Sequence, residues 1–382
     1  MRSGAPRVTA QAFRALFPDL ESRTYLAACS LGARSGALDT ALDRMLADMS
    51  GGAAAWSSFE AEVVRARTMF AALIGARPDQ VALVPNASIG AYQVASGLPL
   101  AQRRRIVTSS VEFPSIAQVW LAQRPRGAEV VAADSAHPGD PLTGYASALD
   151  ERTALVSLPL VGYADGAVWP VAEVAARAHA VGARAFVDAY QAVGVMPVDV
   201  TALGCDFLVA GAQKFLLGLP GAAFLFVREV SDQDREPTLT GWFGRIDPFA
   251  FDPFHLDFAP DARRFETGTP AVPALYAANA GLDLIAGLRM PEVRAHVVGL
   301  LTTAVEALTE DGEHFVLTGG PAGHGGHVGL VDPDPSALAA WLGGHGISVS
   351  PRGHLVRIAF HYYNDDHDVR RLREAVRRFR RR

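Results

Sequence analysis

Short apolar runs alternate with helical patterns along most of the chain. Seven runs predict strands, at residues 80–84, 105–108, 129–132, 154–158, 183–187, 207–210 and 222–227. A helical pattern over 171–181 stops at Gly182, as expected of a glycine that ends a helix. Continuous apolar strands separated by helices favour an α/β fold whose sheet is mostly parallel and covered on both faces.

The pattern changes outside this central region. Residues 1–20 predict an entry helix and loop, with Phe13, Leu16 and Phe17 on one face. After about residue 285, the predicted elements are helices at 292–309, 335–344 and 366–381 and strands at 327–331 and 355–360. We therefore expect an N-terminal segment (1–24) that packs on a small C-terminal α/β domain (286–382), and a large domain (25–285) between them.

Polar residues follow several of the predicted strands. They are Asn86 and Ser88, then Glu112, then Asp188 with Gln191, and finally Lys214. Because the carboxyl ends of parallel strands meet at one edge of a sheet, these side chains are expected to converge there. The sequence thus predicts a functional site at that edge.

Composition excludes several classes of protein. Of the 382 residues, 49% are hydrophobic and 20% charged, which suits a large core and excludes disorder for most of the chain. A net charge of −5 gives no broad attraction for nucleic acid or membrane. Two distant cysteines, Cys29 and Cys205, exclude a disulfide framework, and no metal site is expected. With neither a long apolar span nor a secretion signal in view, we expect a cytoplasmic protein.

Lys214 is the only lysine, so the other 34 of the 35 basic residues are arginines. Arginine can replace lysine wherever charge alone matters, but its guanidinium does not lose a proton under ordinary conditions. A neutral lysine amine forms Schiff bases with carbonyls, including pyridoxal phosphate (PLP). Lys214 is therefore a candidate for covalent catalysis, although chance retention of one lysine would leave the same composition.

The other strand-end residues could complete a PLP site. Asp188 could keep the ring nitrogen protonated, and Gln191 could contact the ring oxygen. Backbone N–H groups near Ser88 could hold the phosphate, Phe113 could cover the ring, and Arg357 could bind a substrate carboxylate. Each residue also has a purely structural interpretation, as a turn, a cap, core packing or a solvated surface charge.

Order and spacing add family information. The segments 185–194, 197–200, 204–207 and 211–214 read AFVDAYQAVG, PVDV, GCDF and GAQK. They resemble the core of the class V aminotransferase family, and the likeness extends from about Tyr25 to Tyr363. This family of fold-type-I PLP enzymes includes cysteine desulfurases, kynureninases, isopenicillin-N epimerase-like proteins and transaminases. The resemblance implies a seven-stranded large domain that binds PLP beside a smaller C-terminal domain.

The resemblance also implies roles for matching residues. Lys214 would carry the cofactor, Asp188 would pair with its ring nitrogen, and Arg357 would grip the substrate α-carboxylate. The remaining cofactor contacts would be Gln191 at the ring oxygen, Phe113 at the ring face, and Ala87, Ser88 and Gln213 at the phosphate. Thr267 and Thr269 would reach the phosphate of the cofactor bound in a second subunit. The resemblance therefore implies a homodimer with shared active sites. Arg352 and His354 are expected to face the substrate side chain.

The reaction is less defined than the cofactor. Cysteine desulfurases of this family need a cysteine in the loop before the substrate arginine, whereas residues 348–354 contain none. This departure favours transamination or β-elimination of C–S lyase type on an amino-acid substrate. A kynureninase-like hydrolase, an epimerase and a non-catalytic member without cofactor remain alternatives. The sequence does not contain the motifs expected of an α/β hydrolase or of a nucleotide-binding protein.

Overall fold

The computed structural model of the protein describes residues 8–133, 140–230 and 236–382. Its strands are β1 (Thr24–Tyr25), β2 (Val81–Val84), β3 (Arg105–Thr108), β4 (Glu129–Ala132), β5 (Thr153–Pro159), β6 (Arg184–Asp188), β7 (Phe207–Gly211), β8 (Ala223–Val227), β9 (Phe315–Val316), β10 (His327–Val331), β11 (Ile347–Ser348), β12 (Ser350–Arg352) and β13 (Leu355–Ala359). Its α-helices are α1 (Ala10–Arg14), α2 (Gly36–Met49), α3 (Ala55–Leu73), α4 (Ala87–Gly97), α5 (Pro114–Leu121), α6 (Pro141–Ala148), α7 (Val171–Ala180), α8 (Val200–Leu203), α9 (Val272–Ala286), α10 (Met290–Thr309), α11 (Pro335–Gly344) and α12 (Asp366–Arg380).

Seven strands form the central sheet, in the order β2-β8-β7-β6-β5-β3-β4. The pairs from β4 through β7 are parallel, while β8 runs antiparallel to both of its neighbours. The connection from β7 to β8 is too short for a crossover helix, which explains the reversal of β8. The predicted α/β fold with a mostly parallel seven-stranded sheet is confirmed.

The N-terminal segment differs from the predicted amphipathic helix. Helix α1 ends at Arg14, and Leu16 is 43% exposed although Phe13 and Phe17 are buried. Phe17 has an extended backbone, as expected for a residue that precedes a proline, here Pro18. The predicted continuous face is therefore wrong at Leu16, and residues 1–7 of the predicted segment lie outside the described residues.

A second sheet, in the order β12-β13-β10-β9, is antiparallel and lies in the C-terminal part of the chain. The N-terminal segment contacts the same part: Phe17 packs against Tyr363, and the Arg14 guanidinium donates to the buried carboxylate of Asp368 over 2.9 Å. The domain boundary proposed near residue 285 falls at the end of α9. Among the residues that the structure describes, we find no helix suited in length and hydropathy to a membrane span.

One hydrogen bond next to Lys214 joins the segment after β7 to the segment after β13. The Nδ1 atom of His361 accepts from the backbone N–H of Tyr362, so its Nε2 is the atom that donates, to the carbonyl of Phe215 over 3.0 Å. Burial lowers the pKa of His361 to about 4, which keeps the ring neutral. The residue that follows Lys214 is thereby tied to the end of β13.

Helix α9 packs closely against the same loop, since a Cβ at Gly281 would overlap the carbonyl oxygen of Leu216. We expect Gly281→Ala to reduce the free energy of unfolding by at least about 1–3 kcal/mol, because the helix must move away from the loop. Gly299 in α10 is the matched control, since a Cβ there meets no atom within 4 Å. Gly299→Ala should stabilise the protein by up to about 1 kcal/mol. Urea unfolding of both variants checks this, and equal effects would contradict it.

Candidate active site

A cavity of about 210 Å³ opens at the carboxyl edge of the central sheet. The segments that follow β2, β3, β5, β6 and β7 all reach it. Its lining residues are Asn86, Ala87, Ser88, Phe113, Ser115, Tyr163, Asp188, Tyr190, Gln191, Gln213 and Lys214. The structure therefore brings together the predicted lysine, its predicted carboxylate and most of the predicted cofactor contacts.

Lys214 sits in a tight turn after β7. The carbonyl of Gln213 accepts from Gly32 N over 2.7 Å, and the carbonyl of Lys214 accepts from Leu217 N over 3.0 Å. Leu217 is buried with a φ of 62°, in the left-handed region that non-glycine residues seldom occupy. Packing around the turn holds this strained backbone, and the lysine is fixed with it.

Burial lowers the pKa of Lys214 to about 8, although the negative charge of Asp188 opposes the change. The positive charges of Arg357 and Arg352 lower it further. The Nζ atom lies 5.5 Å from the ring centroid of Phe113 and 5.0 Å from that of Tyr190. An amine in this setting is partly neutral near physiological pH and can act as a nucleophile.

Asp188 is the last residue of β6 and is almost fully buried. Its Oδ1 atom accepts from Tyr190 N over 2.9 Å. Burial raises the pKa of Asp188, while that backbone N–H and the charge of Lys214 oppose the rise. A further cation placed against this carboxylate would favour its charged form, as a protonated pyridine nitrogen would.

Gln191 is buried beside Asp188 with one half of its amide unpaired. Its Nε2 donates to the carbonyl of Cys29 over 2.9 Å, whereas its Oε1 has no hydrogen-bond partner among the described residues. A buried polar atom is rarely left without a partner in a native protein. Because Gln191 lines the cavity, its free oxygen and remaining N–H fit a ligand that carries a hydroxyl group.

The N-terminus of α4 forms another wall of the cavity. The Asn86 side chain caps the helix by accepting from Ile89 N over 3.0 Å. This cap leaves the N–H groups of Ala87 and Ser88 without partners inside the helix, and such groups suit a phosphate. The Tyr190 hydroxyl lies against Ala87 N–H and the Gln213 side chain, so it shares this end of the cavity.

Arg357, on β13, is buried with its guanidinium firmly held. One nitrogen donates to the carbonyl of Tyr163 over 2.8 Å, and another donates to Ser350 Oγ over 2.6 Å. One hydrogen on each terminal nitrogen is left for a ligand, which suits a carboxylate. Tyr163 also packs edge-to-face on Phe113, with ring centroids 5.2 Å apart, so it connects Arg357 to the cavity wall.

Five predicted residues are not among those that line this cavity: Arg357, which reaches its wall through Tyr163, and four others. Arg352 and His354 are exposed on the hairpin, on either side of Gly353. The positive charge of Arg352 nevertheless lowers the pKa of Lys214. Thr267 and Thr269 line a separate cavity of about 160 Å³ that also includes Pro85, the residue before Asn86. Within one chain, these threonines do not share the cavity of Lys214.

Sequence reasoning missed several residues at or beside the site, among them Tyr190, Cys29 and Glu112. Tyr190 lies between Asp188 and Gln191 in the sequence. A Cβ at Gly211 would overlap the Tyr190 ring, so the glycine at the end of β7 was the available sign that a large side chain packs there. Cys29 is buried, and its carbonyl accepts from Gln191. Glu112 was recognised at a strand end but given no role, although it is only 3% exposed.

The depressed pKa of Lys214 can be measured directly because no other lysine competes. On cofactor-free protein, labelling of Lys214 by an amine reagent should rise with pH through a midpoint of about 8, against about 10.4 for an ordinary lysine. Peptide mass mapping separates Lys214 from the N-terminal amine. Asp188→Asn should move the midpoint lower, because it removes a charge that favours the ammonium form. A wild-type midpoint near 10 would contradict the burial argument.

Comparison with known proteins agrees with this geometry. The family model for Aminotransferase class-V matches residues 43–372. An uncharacterised aminotransferase of Bacillus subtilis (strain 168), YcbU, is 34% identical over 364 residues, which are 95% of this chain and 96% of that protein. A kynureninase of Deinococcus radiodurans is 33% identical over 258 residues, 66% of this chain and 61% of the relative.

A solved structure supports the fold. A C-DES mutant with glycine covalently linked to its PLP cofactor superposes with a TM-score of 0.86 at 22% identity, covering 95% of this chain and 98% of that one. The residues present here fit the same cofactor, because a buried amine, a buried carboxylate, an amide oxygen that no described residue pairs and a helix N-terminus surround one cavity. The chain therefore belongs to the class V aminotransferase family of PLP-dependent enzymes.

Proposed function

We propose that this enzyme acts on an amino acid and that Lys214 is the residue that holds its cofactor. The observation that carries the proposal is a lysine amine with its pKa lowered to about 8, facing Asp188 in a cavity at the sheet edge. Asp188 would face the ring nitrogen and Gln191 the ring oxygen. Phe113 would cover the ring, and Ala87, Ser88 and Gln213 would hold the phosphate.

PLP, when bound, draws electrons from the substrate α-carbon and so weakens the bonds to it. The chain supplies the rest. Arg357 would bind the substrate carboxylate with its two free N–H groups, which fixes the orientation of the α-carbon. The Lys214 amine, once free of the cofactor, would take the α-proton as a general base, since its pKa lies close to neutral pH.

Amino-group transfer is the reaction that we favour. It is supported by the B. subtilis relative, which carries the name of an aminotransferase and matches almost the whole chain. β-Elimination needs the same α-proton step and differs in requiring a leaving group on the β-carbon. A kynureninase-like hydrolase is the second candidate, supported by Phe113 at the ring position and by the D. radiodurans relative.

A screen of amino acids, each with and without a 2-oxo acid acceptor, separates these reactions. We expect formation of a new amino acid that depends on the acceptor, which identifies transfer. Ammonia and pyruvate formed without an acceptor would instead identify β-elimination. Alanine released from a substrate with a γ-carbonyl would identify the hydrolase. Turnover of no amino acid under any condition would contradict the proposal.

Lys214→Arg is the matched control for the screen, because it keeps the positive charge but has no amine that can react. We expect it to lose turnover by at least about 10³-fold, as expected when an essential covalent group is removed. In the wild type, borohydride reduction followed by peptide mass mapping should fix the cofactor on Lys214. Attachment elsewhere would overturn the assignment.

We also propose that the active protein is a homodimer in which Thr267 and Thr269 complete the partner's site. Thr269 is exposed and both threonines lie away from the cavity of Lys214 in their own chain. The segment before them exposes large apolar side chains, among them Phe254 at 98% and Phe251 at 71%. Large apolar side chains exposed close together in sequence suit a protein interface. We further propose that the enzyme works in the cytoplasm, as expected from the sequence.

Hybrid dimers test the shared site. Lys214→Ala and Thr267→Val/Thr269→Val chains, each weakly active alone, should form a mixed dimer with one complete site. We expect about half of the wild-type activity per dimer, as for independent sites. If the threonines act within their own chain, the mixed dimer will instead be no more active than its parents. Differently tagged chains, co-expressed and purified by both tags, supply the sample.

A further inference from the structure

Glu112 is a strand-end residue that the proposed function leaves unused. It follows β3 and precedes Phe113, and its side chain is almost completely removed from solvent. A carboxyl group in this position costs free energy unless it is paired or neutral. Its surroundings therefore indicate which of these two states it adopts.

Both oxygens of Glu112 are engaged by the protein. Oε1 accepts from the backbone N–H of Phe113 over 3.2 Å, and Oε2 is 2.6 Å from Ser157 Oγ. Ser157 lies on β5 opposite Phe186 of β6, two residues before Asp188. Because alternate residues of a strand share a face, Ser157 and Asp188 lie on the same side of the sheet. Glu112 is thus placed behind Asp188 and fixed to the backbone of Phe113.

The two carboxyl groups differ in their access to positive charge. In the described part of the chain, the groups that act on Glu112 are Asp188, Ser157 and Phe113 N–H, and none of them is a cation. Asp188 has Tyr190 N–H and the Lys214 ammonium, which approaches from the loop after β7. Two close, buried carboxyl groups with one cation share a proton, and the one further from the cation keeps it.

The energetics agree with this placement. Burial, together with the charge of Asp188, raises the pKa of Glu112 to about 8. The hydrogen bonds from Ser157 and Phe113 oppose the rise without removing it. Near neutral pH the side chain is therefore mostly a neutral acid, and the buried pair carries one negative charge.

We propose that Glu112 is a positioning residue that holds a proton behind Asp188, leaving Asp188 to carry the negative charge that faces the cofactor ring. Glu112 also fixes Phe113, the proposed cover of that ring, through the backbone bond. The inference rests on the role proposed above for Asp188 and adds a second carboxyl group to it.

The proton on Glu112 has a signature in cofactor-free protein. Because the folded state keeps a proton that the unfolded chain releases above about pH 4.3, stability should fall as pH rises towards the pKa in the folded state and then level off. Glu112→Gln cannot titrate, so the wild type should lose more stability than this variant between about pH 6 and 8. Urea unfolding of the full chain measures the difference.

Two variants separate the proton from the contacts. Glu112→Gln imitates the protonated acid, since its carbonyl can accept from Phe113 and its amide can donate to Ser157. We expect its dissociation constant for PLP at neutral pH to stay within about threefold of the wild-type value. Glu112→Ala loses both contacts, and its affinity for PLP should fall by about tenfold, close to the net contribution of one neutral hydrogen bond.

Two results would overturn the proposal: equal pH slopes of stability in wild type and Glu112→Gln, or a Glu112→Gln affinity as low as that of Glu112→Ala. Infrared difference spectra give an independent check, since a protonated carboxyl band present at neutral pH should be missing in Glu112→Gln. Asp188→Asn separates the proposed role of Asp188 from the proton proposed on Glu112. Unchanged PLP binding in that variant would remove the role of Asp188 while the slope test still reports on the proton of Glu112.

Discussion

The removal of one amine from water is the constraint on which this site depends. Lys214 lies in a cavity walled by aromatic rings, where its ammonium form loses hydration and recovers part of that loss from Asp188. A guanidinium in the same place would stay charged, because its proton is held far more strongly. The one lysine of this arginine-rich chain therefore occupies a position where an amine and a guanidinium differ, because only the amine can lose its proton there.

The sheet explains how so many polar groups reach one cavity without weakening the core. Strands β5 to β8 are buried along most of their length, and polar side chains concentrate where the strands end. The close approach of backbone segments then fixes their positions. Gly211 leaves room for the ring of Tyr190, and Gly32 lies against the carbonyl of Lys214. Buried carboxyl groups are tolerated there because hydrogen bonds or neighbouring charges satisfy them.

Much of this arrangement follows from the sequence. All seven strands of the central sheet were predictable, because strands covered on both faces appear as continuous apolar runs. Lys214, Asp188 and Gln191 could be found because strand ends in a parallel sheet share one edge. The entry helix is present at Ala10–Arg14, but the buried face predicted for Leu16 was wrong, since a short local pattern did not account for the proline that follows Phe17.

Other features depend on tertiary contacts that no local pattern contains. The pairing of Gln191 with the Cys29 carbonyl joins residues far apart in the chain, and the contact of Glu112 with Ser157 joins the segment after β3 to β5. The role proposed for Thr267 and Thr269 involves a second subunit, so one chain leaves it a prediction. The substrate contacts of Arg352 and His354 also stay predictions.

The bond from His361 to the carbonyl of Phe215 would connect Arg357, the proposed ligand of the substrate carboxylate, to the backbone beside Lys214. Arg357 and His361 belong to one continuous stretch of backbone, β13 and its end, while Phe215 is the next residue after Lys214. A shift of that stretch when a carboxylate is gripped would be transmitted through a single donor and acceptor to the peptide beside the amine. Binding of a carboxylate at Arg357 would then adjust the reach of the Lys214 amine.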